Sequence, residues 1–170
     1  MILKYKDKEP KIGKNVFIAP GAIIIGDVEI KDGASIWFNC VVRGDMAPVE
    51  IGENSNIQDN CTVHTAENAP VKIGNHVTVG HNAIVHACSI EDDVLIGMGA
   101  IILDNAIIKS GTVIAAGSIV KEKNVMGPDE LYAGIPASKK KEFDASHRKE
   151  LNDHATEYSR LAWEYIQESK

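Results

Sequence analysis

Three histidines, His64, His81 and His86, are the side chains of this sequence best suited to holding a metal ion, since neutral imidazole is a common ligand of zinc and similar metals. Their spacing is awkward. In the stretch "VGHNAIVHAC", Val79 to Cys88, His81 and His86 are five positions apart. On a helix of about 3.6 residues per turn they diverge, and on a strand of period two they point to opposite faces. No single regular element lets them share one ion. The thiols offer no simpler ligand set. Cys40, Cys61 and Cys88 are odd in number and lack a C-x-x-C spacing, which argues against a disulfide framework or a zinc ribbon and suits reduced cysteines in a cytosolic protein.

The elements that must position these histidines announce themselves as a repeat. Aliphatic residues recur at intervals of six: Ile12, Ile18, Ile24, Ile30, Ile36 and Val42, then Ile51, Ile57 and Val63 after an insertion at "PVE", then Ile73, Val79 and Val85 beyond "TAENAP". The series slips by one residue and runs on through Ile90, Ile96, Ile102, Ile108, Ile114 and Val120. Four places after each guide residue stands a mostly small or β-branched one, such as Ala22, Ala34, Cys40, Cys61, Ala83 or Ala100, and Gly, Asn and Asp fill the intervals. Those three residue types tolerate the φ > 0 of tight corners. The pattern predicts an all-β fold, a left-handed parallel β-helix of hexapeptide repeats in which three hexads close a triangular coil with the guide residues stacked inside. Cys40 and Cys61 then occupy equivalent inward positions as small buried hydrophobes.

Past "GPDELYAGIPASKKK" the period changes. Leu151, Ala155, Tyr158, Ala162, Tyr165 and Ile166 recur at helical intervals. The expected organisation is a β-helix domain over 1–138 and a C-terminal amphipathic α-helix over 139–170 packed on its outer face, with Lys139–Lys141 a solvated run at the helix start and His147 and His154 on its surface.

Grouping hexads in threes stacks equivalent residues of successive coils about 4.8 Å apart. Val42, Val63 and Val85 form one stack, and the residues after them, Arg43, His64 and His86, point outward. Ile57 and Val79 form another, followed two places on by Asp59 and His81. His64 and His86 are thus neighbours on one face, whereas His81 lies on the preceding side of the triangle, up to about 20 Å away along a six-residue strand. It cannot join them within one chain. A cyclic homotrimer would bring His81 of one subunit to His64 and His86 of the next, creating metal sites shared across each interface. Three histidines with an open fourth position form the ligand set of a catalytic zinc site rather than a closed structural one. His76 lies outside these columns and is assigned to solvent.

Composition narrows the partners. The 170 residues fit one main domain, and 18 basic against 24 acidic side chains give a formal net charge of −6 with no basic stripe, so nucleic acid is not expected. No run of about 20 apolar residues is present and no secretory signal opens the chain, which makes a cytoplasmic protein without membrane contact the expectation.

The segments "VVRGDMAPVEIGENSNIQDNCTVHT", "IGNHVTVGHNAIVHAC" and "YAGIPA", with the terminal helix, resemble the γ-class carbonic anhydrases over nearly the whole length. The resemblance implies zinc, with iron or cobalt as alternatives, on His64, His81 and His86 of a trimer. It implies metal-hydroxide attack on CO2, reversible from bicarbonate, and functional roles for Arg43, Asp45, Gln58 and Asp59. Arg43 would pair with Asp59 of a neighbouring subunit, and Gln58 would orient the nucleophile. Where the most active member of that family carries an acidic loop and a glutamate after its Arg-Gly-Asp, this chain has "TAENAP" and Met46, so slow proton export is implied. Glu67 and Tyr132 are the remaining candidates for handling the proton. The fold alone also accommodates an acyl-CoA-dependent acyltransferase with a histidine base, a metal-loaded protein of little turnover, or a relative acting on thioesters.

Overall fold

The computed structural model describes residues 1–144 and 146–168. About seven left-handed turns of parallel β-helix are followed by one α-helix. The six-residue period builds three stacks of inward side chains. The first runs Ile12, Ile30, Ile51, Ile73, Ile90, Ile108 and Met126. The second runs Ile18, Ile36, Ile57, Val79, Ile96, Ile114 and Tyr132. The third runs Ile24, Val42, Val63, Val85, Ile102 and Val120. Most of these side chains are completely buried, and each buried aliphatic contributes about 1.5–3 kcal/mol. The stabilisation therefore accumulates coil by coil.

Corners explain the small and polar residues between guides. Asn15, Asn39, Asn54, Asn60, Asn82 and Asn105 all have φ between 53° and 61°. At Gly33, with φ +70°, a Cβ would lie 2.3 Å from Asn54 Oδ1 on the next coil, so any other residue there would have to displace that side chain. His76, expected to be merely solvated, is itself a corner residue with φ 53°, and its Nε2 lies 3.4 Å from Asn54 Nδ2. All three cysteines are free and buried, and burial pushes the Cys88 thiol up to about 12.

The C-terminal boundary differs from the expectation. Ser138–Glu142, including Lys139–Lys141, is a strand antiparallel to Glu130–Ala133, with Lys139 Nζ 2.5 Å from Glu130. This hairpin covers the open edge of the final coil, an edge that would otherwise expose unpaired backbone groups. The helix, α1, begins only at His147 and runs to Glu168; its expected end at residue 170 lies outside the described residues. Asp144 Oδ1 accepts the Ser146 N–H at 2.8 Å just before its first turn.

α1 runs back along the solenoid, from the last coil to the first. Arg148 grips Asp129 through two bonds of 2.6 Å, Asn152 donates to Asp93 at 3.0 Å, and Ser159 donates to the Gly33 carbonyl at 3.1 Å. Its buried residues are Leu151, Ala155 and Ala162. Ala162, Tyr158 and Ile166 close over Phe17, Ala19 and Trp37, with the Trp37 ring edge-on to Tyr158 at 5.7 Å. The apolar stripe thus covers the outer side of the second stack, as its helical spacing predicts. Among the described residues no helix is long and apolar enough to cross a membrane.

Candidate metal centre

Strand register places Arg43, His64 and His86 one above another on the outside of the third stack. Their neighbours then decide which ring nitrogens are available. His64 Nε2 is 3.0 Å from Asp45 Oδ1, and His86 Nδ1 is 2.6 Å from Asp104 Oδ1. Ionised carboxylates only accept, so each of these nitrogens must carry the proton. In the neutral rings that leaves two lone pairs, on His64 Nδ1 and His86 Nε2, and these face each other at 3.3 Å. Two bare lone pairs so close repel, and a cation relieves them, either a proton shared in an N–H···N bond or a metal ion. The separation also suits one, because two ligands at about 2.0–2.1 Å on a tetrahedral ion lie about 3.3–3.4 Å apart. The residues present therefore fit zinc.

Asp45 is held below the usual carboxylate range: burial pushes it up, but hydrogen bonds from His64 and Arg43 outweigh that. Arg43 donates to Asp45 within its own chain.

His81 lies on another side of the triangle, as the columns predict. Its Nδ1 is 2.8 Å from Asp59 Oδ2 on the preceding coil. Among the described residues no three His, Cys, Asp or Glu side chains converge as a complete ligand set within the chain.

Beside His81 opens a cavity of about 300 Å³ lined by Gln58, Thr78, Met98, His154 and Tyr158 among others. Its floor follows from the outward positions of the second stack. Trp37 and Gln58 fill theirs on two successive coils, whereas the next two coils carry Gly80 and Gly97. Gln58 is only 4% exposed, and its Nε2 donates to Asn56 Oδ1 at 3.2 Å. Asn56 donates in turn to Thr78 Oγ1, which sits 3.2 Å from His154 Nδ1. His154, expected on the helix surface, therefore meets the cavity, as does Tyr158; the helical period gave the apolar stripe but not the register in which it docks.

The two candidates for proton handling are placed differently. Glu67 is exposed at the tip of the turn after His64, where Ala66 and Ala69 bridge. Tyr132 does not approach the histidines of its own chain. It fills the inward guide position above Ile114, three coils beyond Val79 or roughly 14 Å by strand spacing, and its hydroxyl bonds Gly127 N–H and Glu130. Asp104 was missed, because extending the third stack by one coil beyond His86 points to Leu103, and Asp104 is the residue after it at the corner.

Fold and site define a hexapeptide-repeat β-helix protein with paired outward histidines. Consistent with that class, the family model "Bacterial transferase hexapeptide (six repeats)" matches residues 9–44 and 87–122. The carbonic anhydrase of Geobacillus kaustophilus is 42% identical over 170 residues, covering 100% of this chain and 90% of that protein. Gamma carbonic anhydrase 2, mitochondrial, of Arabidopsis thaliana is 40% identical over 162 residues, covering 92% of this chain and 58% of that protein, so the chain spans less than two thirds of this plant relative. The chain belongs to the γ-class carbonic anhydrase family. A solved Bacillus cereus structure, provisionally described as an acetyltransferase, superposes with a TM-score of 0.94 at 44% identity, covering 97% of this chain and 96% of that one.

Proposed function

We propose that the chain is a carbonic anhydrase, hydrating CO2 reversibly to bicarbonate at metal sites shared between the subunits of a homotrimer, each built from His64 and His86 of one subunit and His81 of the next. The observation that carries this reading is the 3.3 Å approach of His64 Nδ1 to His86 Nε2, each ring's other nitrogen being held by a carboxylate, with His81 on a different face. A bound zinc ion, or iron or cobalt in its place, would supply the Lewis acidity that makes water acidic enough to deliver hydroxide near neutral pH.

The chain's own residues do the rest. With Nε2 committed to Asn56, Gln58 has its carboxamide oxygen left to accept the nucleophile's proton and aim its lone pair at CO2. The apolar side of the cavity, with Leu95, Ile96 and Met98, suits a small uncharged substrate. Arg43 would meet the partner subunit's Asp59 and lock the assembly. Exposed Glu67 is the acid nearest in sequence to carry the proton outward, and with Met46 in place of a second acid, turnover is expected to be limited by proton export and to rise with buffer concentration. Three buried free thiols suit a cytoplasmic setting.

The test uses His64→Ala and His81→Ala proteins, each expected to lose metal and CO2 hydration. Re-formed mixed trimers contain interfaces that join an intact His64 and His86 to an intact His81, so part of both should return. Demonstrably mixed trimers that recover no metal overturn the shared site. The Bacillus cereus relative favours acyl transfer as a second reading; metal-independent consumption of acetyl-CoA, with no stopped-flow CO2 hydration, would establish it in place of the first. Metal retained without hydration would point to a binding role or to thioesters.

A further inference from the structure

The geometry points to Asp104 as a positioning residue for the metal centre: its carboxylate takes the Nδ1 proton of His86 and so presents the Nε2 lone pair toward His64. The inference rests on the metal reading above and adds a residue to it.

Its first support is contact. His86 Nδ1 lies 2.6 Å from Asp104 Oδ1, close to the short end for a charge-assisted N–H···O bond, and His86 Nε2 is the atom 3.3 Å from His64 Nδ1. One ring nitrogen is held by the carboxylate and the other faces the site. His81 Nδ1 also lies 2.8 Å from a carboxylate of an adjacent coil, Asp59, as an ion-pair contact.

The second support is that the corner itself does not require Asp104. The left-handed residue there is Asn105, with φ 59°, and its N–H bonds the Ala87 carbonyl at 2.7 Å. Asp104 is therefore not the residue that needs φ > 0. The coil above is one residue shorter at this corner: Val85 and Ile90 are both guides, whereas below them the guides are Ile102 and Ile108. Ala87 alone turns the upper corner at φ 46°, where the lower coil uses Asp104 and Asn105. The slip in the six-residue period thus falls beside a metal ligand, and it sets the lower corner's extra residue, Asp104, where it reaches the His86 ring.

The experiment compares wild type, Asp104→Ala, Asp104→Asn and His86→Ala, each stripped with a chelator and titrated with Co2+ at fixed pH while the visible ligand-field bands are recorded. Asp104→Ala is expected to weaken Co2+ binding by roughly 10- to 100-fold and to alter the band pattern. Asp104→Asn keeps an acceptor oxygen and should recover most of the affinity. The metal-free thermal midpoint and the assembly mass should match wild type in both. Wild-type affinity and bands in Asp104→Ala overturn the proposal while leaving the metal centre standing, and so does a loss that tracks a lowered metal-free midpoint or a dissociated assembly. A wild type that takes up no Co2+, or a His86→Ala protein that binds it as tightly as wild type, overturns the metal reading itself.

Discussion

Single ion pairs fix how the helix is held. Asp129 lies well below the usual carboxylate range because Arg148 hydrogen-bonds it, against a smaller opposing effect of burial. Its folded pKa is therefore below the unfolded value of about 3.9, so the stability it contributes is fully present above that value and is lost as pH falls through the folded pKa. Asn tolerates the φ of 54° at this corner, so Asp129→Asn keeps the turn while removing the charge and one of the two acceptors that Arg148 uses. The urea midpoints of variant and wild type should differ most above the unfolded pKa and draw together as pH falls through the folded pKa of Asp129; a difference that persists undiminished in acid would show that the charge is not what holds the helix. Gln58→Ala addresses the other polar chain, from Gln58 through Asn56 and Thr78 to His154. Its expected effect is a fall of about 10-fold or more in kcat for CO2 hydration with metal content unchanged, read by stopped flow on metal-replete protein.

At the scale of elements, the coils and the helix fail separately. Ile96 is completely buried between Val79 and Ile114, so Ile96→Ala should cost about 2–5 kcal/mol. Trp37→Ala should cost about 3–5 kcal/mol and loosen α1 specifically, seen as faster amide exchange over Leu151–Ile166; unchanged exchange there would mean the aromatic contacts are not what docks it. How far these elements can be read from sequence depends on how local their cause is. The period of six, the Asn and Gly corners and the stacking of His64 on His86 follow from neighbours along the chain and one coil away. The start of α1 at His147 was misplaced because Ser138–Glu142 is recruited by a non-local edge, although Asp144 ahead of the first turn is a capping signal that was there to be read. The cavity floor at Gly80 and Gly97, and the arrival of His154 and Tyr158 above it, depend on the docking register of a helix whose periodicity defines a face but not a position along the groove.

For the whole molecule, metal binding and association should be one equilibrium. If each ion takes ligands from two subunits, dilution must release metal, and metal must hold the trimer together by mass action. Following release with a chromophoric chelator through a dilution series, alongside mass measurement, should give coincident transitions. Metal retained by monomers would rule out ligands from two subunits. The order in which the chain is made adds a further constraint. The aromatic patch of Phe17 and Trp37 belongs to the first coils, yet the helix that shelters it, His147–Glu168, lies far later in the chain. A nascent β-helix therefore carries that aromatic flank uncovered while all the later coils are made, and a chain cut before His147 never covers it. The surface is hidden only once α1 has been made and has docked.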